Sequence, residues 1–233
     1  MPHQLKPTIL LGITLVFLAA HPLHAQMEGP ACGDECRINS NLAGVVNTPL
    51  HPTSQVANVG GGIVGGVGYN FSKRHAFVGE FMWNRIDPDV NVRQVFRTAL
   101  QAADLKAYTD FFVLTGNYRF ELRGKFFGAY LIGGGGVYIR YTHLSRSVTI
   151  FSAATPCTTP WLWWGFACSA GFVSASQTLA SSTTSALGGN AGGGMTFRVG
   201  DPPYRIYIEA RYHYAPTSPL NTQFVAVAFG LRF

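Results

Sequence analysis

Polar and apolar residues alternate with period two along most of the chain from residue 38 onward. In the last twelve residues, TQFVAVAFGLRF, Val225, Val227, Phe229, Leu231 and Phe233 share one face, while Ala226, Ala228, Gly230 and Arg232 share the other, joined there by the bulky Phe224. Such a segment reads as a strand with one greasy side and one small or polar side. The same pattern predicts strands at 56–71, 76–86, 107–122, 126–142, 185–199 and 204–214. A weaker pattern, INSNLAGVVNTPL at 38–50, completes an even set of eight, as a single-chain antiparallel barrel with both ends at one rim requires.

The links agree with closure. SKRH at 72–75, ELRGK at 121–125 and GDPP at 200–203 are tight turns, whereas 87–106 and 143–184 are long loops. Turns on one rim and loops on the other are the asymmetry of transmembrane barrels. The expected fold class is therefore all-β: a closed eight-stranded antiparallel transmembrane β-barrel with meander connections, over 38–233.

Parity assigns the faces. At 204–214, Ile206, Ile208, Ala210, Tyr212 and Tyr214 alternate with Arg205, Tyr207, Glu209, Arg211 and His213. The second set must avoid lipid, because a basic side chain at the bilayer midplane costs about 2–4 kcal/mol on a barrel's outer face. By the same parity Glu80, Arg119, Arg140, Arg198, Glu209, Arg211 and Arg232 point inward. An eight-stranded barrel is just wide enough to be filled by side chains, so these charges are expected to pair as an interior ion-pair network. Glycines at 133–136 and 192–194 leave room for inward Tyr130 and Tyr138 and permit tight curvature. Arg85 falls on the lipid side at a strand end, at headgroup level.

Composition narrows the alternatives. Only 12% of residues are charged and 13% are aromatic, against about 25% charged in ordinary globular domains. Mean hydropathy is nevertheless only +0.15, short of a helical membrane bundle. A soluble β-sandwich or lipocalin-like barrel is the alternative class. Residues 1–25, with Lys6 followed by an apolar run, read as a signal peptide, and 26–37 as an irregular periplasmic lead-in. The net charge of +6 comes from singly scattered basic residues, which does not suggest nucleic acid. The four cysteines form two local pairs, Cys32 with Cys36 and Cys157 with Cys168, expected as disulfides in an exported chain. No spacing asks for a metal or cofactor.

Three kinds of chemistry compete for this frame. A filled interior gives a structural plug, and a hydrated one a narrow channel for ions or small solutes. An outer-membrane lipid-modifying enzyme would use Glu209 or His213 with a serine, but those two lie roughly 13 Å apart along one strand. The 143–184 segment carries Trp161, Trp163, Trp164 and Phe166 between Cys157 and Cys168, which suits either an external protein or glycan ligand or the outer lipid interface.

The alternating strands, GAYLIGGGGVYIR at 128–140, IEARYHYA at 208–215 and NTQFVAVAFGLRF at 221–233 resemble the small bacterial outer-membrane β-barrel family of the OmpA/OmpX type. The resemblance implies localisation to the bacterial outer membrane, contact with its lipids and insertion by the barrel-assembly machinery. Phe229, Leu231 and Phe233 would then serve as the assembly signal. The resemblance is specific for architecture and not for activity, its relatives including anchors, adhesion proteins, narrow pores and lipid enzymes; the role expected here is structural or one of cell-surface interaction in a monomer, without catalysis.

Overall fold

The computed structural model describes residues 37–101, 104–152, 157–158, 167–168, 171–200 and 204–233, with the backbone alone over 150–175. The expected signal peptide at 1–25, the lead-in up to residue 36, Cys32 and Cys36 lie outside the described residues, as do Trp161, Trp163, Trp164 and Phe166.

The strands are β1 (Ile38–Pro49), β2 (Gly60–Asn70), β3 (His75–Ile86), β4 (Leu105–Arg123), β5 (Phe127–Ser152), the short β6 (Cys157–Thr158) and β7 (Ala167–Cys168), then β8 (Gly171–Val199), β9 (Tyr204–Ala215) and β10 (Thr222–Arg232). All but β6 and β7 join an antiparallel ring in the order β1, β10, β9, β8, β5, β4, β3, β2, which closes on itself. The doubtful segment at 38–50 is thus a true strand. It carries the closing seam, running from Asn41 opposite Arg232 to Pro49 opposite Phe224. Its burial alternates at every residue, with Asn39, Asn41, Ala43, Val45 and Asn47 inside. Its outward face interleaves Ile38, Leu42 and Val46 with Ser40, Gly44 and Thr48, which is why its hydrophobic pattern is faint.

One rim, here the turn rim, holds the links at 71–74, 124–126 and 200–203; the opposite, loop rim holds the others. The loop rim departs from expectation in two places. Segment 87–106 contains a helix, α1 (Val90–Leu100), whose first turn is capped by the Asp89 carboxylate accepting from the Asn91 N–H at 2.9 Å. Segment 143–184 is mostly strand: β5 and β8 stay paired from Leu144 opposite Ala180 to Ser152 opposite Gly171, with a bulge after Leu144. They form a two-stranded arm that projects past the other strands, since β4 pairs with β5 only as far as Leu105 opposite Arg146, and β9 with β8 only from Gly189 onward. β-branched Thr and small Ser and Ala tolerate extended backbone, and no Gly or Pro interrupts 143–152 or 172–184.

The glycines do what inward bulk demands. A Cβ at Gly194 would lie 2.6 Å from the Tyr130 hydroxyl oxygen, and one at Gly188 would lie 2.8 Å from the Tyr138 ring. Both tyrosines are buried, at 4% and 1% exposure.

Candidate functional site

The interior is polar from the turn rim to mid-height, and an apolar cluster lies above. At mid-height, Arg211 on β9 sits between two carboxylates, donating from Nη1 to Glu80 Oε2 and from Nη2 to Glu209 Oε1, each at 2.5 Å. Two anions share one cation, and neutral donors complete the shell. Asn41 Nδ2 donates to Glu80 Oε1 at 3.0 Å, Asn117 Nδ2 to Glu80 Oε2 at 2.7 Å, and the Tyr130 hydroxyl to Glu209 Oε2 at 2.9 Å. Such a shell is what lets charges be buried at all, since an unpaired one is costly in a low-dielectric interior.

Nearer the turn rim a second cluster gathers on Glu121. Its Oε2 lies 3.1 Å from Arg123 Nη2, 3.2 Å from Arg232 Nη1 and 3.5 Å from Arg119 Nε. Arg232 joins the two clusters, its guanidinium packing over the rings of Tyr130 at 4.7 Å and Tyr207 at 5.3 Å.

Five of the seven expected interior charges are therefore brought together: Glu80, Arg119, Glu209, Arg211 and Arg232. Two are not. Arg198 has inward parity but is exposed, because it occupies a last rung of β8, opposite Arg205 and beside the turn, where water reaches it. Arg140 sits at the loop rim, half-buried, with Nη2 donating to the Ser218 carbonyl at 3.2 Å. Glu121, the hub of the lower cluster, falls in the segment read as a turn from its ELRGK pattern. Continuing the parity of Asn117 and Arg119 by one more rung would have found it. Parity also turns Asn117 and Asn190 inward, though not as members of the network; with Asn41 they link the strands around the Glu80 carboxylate.

Above the polar layers the lumen is plugged. Val45, Val64, Met82, Val113, Ala226 and Ala228 pack together, and Phe224 covers them, its ring stacked on His213 at 4.7 Å and tilted against Phe111 at 6.2 Å. The Tyr138 hydroxyl pairs with His213 Nδ1 at 2.9 Å and donates to the Gly189 carbonyl at 3.2 Å. The void among these side chains is about 20 Å³, room for about one water molecule. The groups weighed for catalysis are thus bound up in the interior, Glu209 by Arg211 and Tyr130, and His213 by Tyr138 and Phe224.

The outer face is the reverse of the interior. Ile63, Phe81, Leu114, Leu131, Leu187 and Phe229 are between 48% and 75% exposed, and they ring the wall. Aromatic groups flank this band. Phe71, His75, Tyr118 and Phe120 cluster near the turn rim, and Trp83, Tyr108 and Tyr141 lie toward the loop rim. Arg85 lies outward as expected, paired with Asp110 at 2.8 and 2.9 Å and with its guanidinium 4.3 Å from the Tyr108 ring centre. A closed ring with a polar inside and an apolar outside fits a bilayer and not water. The chain is an eight-stranded transmembrane barrel.

Neither a protein-family model nor a curated sequence matches the chain. Solved structures similar to it include Ail, the attachment invasion locus protein of Yersinia pestis, at 14% identity and a TM-score of 0.41, covering 84% of this chain and 96% of that one. Neisserial surface protein A is similar at 12% identity and a TM-score of 0.45, covering 84% and 94%. The N-terminal β-barrel domain of Pseudomonas aeruginosa OprF is similar at 12% identity and a TM-score of 0.36, covering 84% and 98%. These are likenesses of shape, and the barrel's identity rests on its own ring and belt.

Proposed function

We propose that this barrel resides in a bacterial outer membrane, reached through a cleaved signal at 1–25 and the barrel-assembly machinery, and that it acts by presenting its loop rim to an external protein or glycan rather than by transport or catalysis. The observation that carries this reading is the contrast between the rims. Three short turns mark one, while α1 and the long β5–β8 arm stand on the other. The arm also offers partners an open edge, because among the described residues no strand pairs with β8 on its β9 side from Gly171 to Gly188. Cys157 and Cys168 are opposed in register at the far end, which places their Cα atoms within the span of a disulfide. A disulfide there would brace the Trp-rich segment between them. Ring closure within one chain leaves the barrel wall without a free edge, which favours a monomer.

A narrow channel is the second reading, and the plug around Phe224 and His213 disfavours it. Topology provides the test. A peptide tag inserted at Gln101, at the end of α1, should be stained on intact cells, and one inserted at Lys73 only after permeabilisation. The opposite result would refute the proposed orientation.

A further inference from the structure

The loop rim holds a recess of about 350 Å³, toward the lower end of the ~300–1,000 Å³ range of small-molecule sites. Phe111 belongs both to its lining and to the plug beneath. One wall is α1, whose Val92 and Phe96 stand one turn apart on the side facing in. No residue of α1 is buried and Phe96 is 40% exposed, so the apolar side of this amphipathic helix is turned to the recess without being sealed by it. The wall is nevertheless held in place. Asp89 N–H donates to the Val56 carbonyl at 3.0 Å, Asn58 N–H to the Asp87 carbonyl at 2.9 Å, and Asn58 Nδ2 to the Pro88 carbonyl at 3.2 Å. Those bonds tie the start of α1 to the β1–β2 link. The facing wall comes from the β5–β8 stem and supplies the hydroxyls of Thr142, Ser182 and Thr184.

Arg140 supplies the positive charge of the recess, whose lining also carries Asp87. The Ser218 carbonyl takes one of its five N–H donors, and no described carboxylate forms an ion pair with it. Asp87 and His143 are the other titratable groups in the lining besides Tyr108. A half-buried guanidinium beside apolar walls carries a desolvation cost, which an anion on its remaining donors would relieve.

We propose that this recess binds a small single-headed carboxylate amphiphile, with its carboxylate on Arg140 and its apolar body against Val92, Phe96 and Phe111. The site depends on the function proposed above only for the side of the membrane from which the ligand arrives. Full-length protein in phosphatidylcholine nanodiscs, which carry no competing anionic lipid, is titrated calorimetrically with octanoate, with neutral octanamide and with cationic octylamine, and the signal from empty discs is subtracted. Octanoate should bind more tightly than either analogue. Arg140→Gln should weaken octanoate about tenfold and leave octanamide within about twofold. Phe96→Ala, which alters only the helix outside the barrel wall, should weaken both. Compact migration on unheated gels confirms that each variant is folded. Octanamide or octylamine binding as tightly as octanoate overturns the proposal, as does an affinity for octanoate unchanged by either substitution. Both faces of a disc are open to ligand, so a negative result removes the pocket's ligand while the proposed orientation stands on its own test.

Discussion

Replacing Arg211 by Leu should destabilise the folded barrel by about 3–5 kcal/mol, the cost of leaving buried charge without its partner. Among the described residues Arg211 is the one cation bonded to both Glu80 and Glu209, whose exposures are 4% and 6%. Without it, Glu80 keeps only its asparagine donors and Glu209 only the Tyr130 hydroxyl. Urea titration in detergent micelles, read as loss of the compact gel band, measures the change. Glu80→Gln with Glu209→Gln in the same background should recover most of the loss, because the anions themselves are then gone. A hydrated, pore-like lumen behaves differently: water would solvate the carboxylates, and Arg211→Leu would cost under about 1 kcal/mol, as at exposed ion pairs.

Deleting Phe233 should lower the yield of assembled barrel about tenfold. Its N–H donates to the Ser40 carbonyl at 2.9 Å and its carbonyl accepts from the Ser40 N–H at 3.2 Å, extending the β1–β10 seam by one rung. Its ring also meets Tyr204 edge-on at 5.7 Å. Two hydrogen bonds of about 0.5–1.5 kcal/mol each are enough for a change of that size. Phe233→Ala keeps the backbone rung and removes only the ring, so comparing the two variants by membrane fractionation and unheated gel migration separates seam closure from an aromatic assembly signal. If Phe229, Leu231 and Phe233 act as that signal, the alanine variant should assemble as poorly as the deletion. Normal assembly of both would remove Phe233 from either role.

The strand pattern was legible wherever one face meets lipid and the other meets side chains, because there the two faces differ most in polarity. β10 shows this at single-residue level: Phe224, the one bulky residue on its small face, is the residue that stacks on His213 to close the lumen. Parity named the face of each charge but not its height. Arg140 and Arg198 share inward parity with Arg211, yet the ends of the barrel wall, not parity, decide whether water reaches a charge. The arm was hidden for a related reason. Beyond the bilayer most side chains of β8 from 176 to 186 are exposed on both faces, so its Ser, Thr and Ala carry no alternation for a period of two to register. In α1, Val92 and Phe96 give a helical spacing, but a single capped helix of eleven residues is easily lost inside a loop of charged and polar neighbours.

A shut lumen would leave the proposed activity to the loop rim. Single-channel recording tests it most directly. Purified protein with compact gel migration, inserted in planar bilayers and confirmed there by proteoliposome flotation of the same preparation, should leave the current at baseline. Phe224→Ala, which removes the ring covering the void beside His213, should be the variant most prone to conduct. Reproducible conductance steps from the native protein, altered by substitution of Arg211 or Glu80, would contradict the closed lumen.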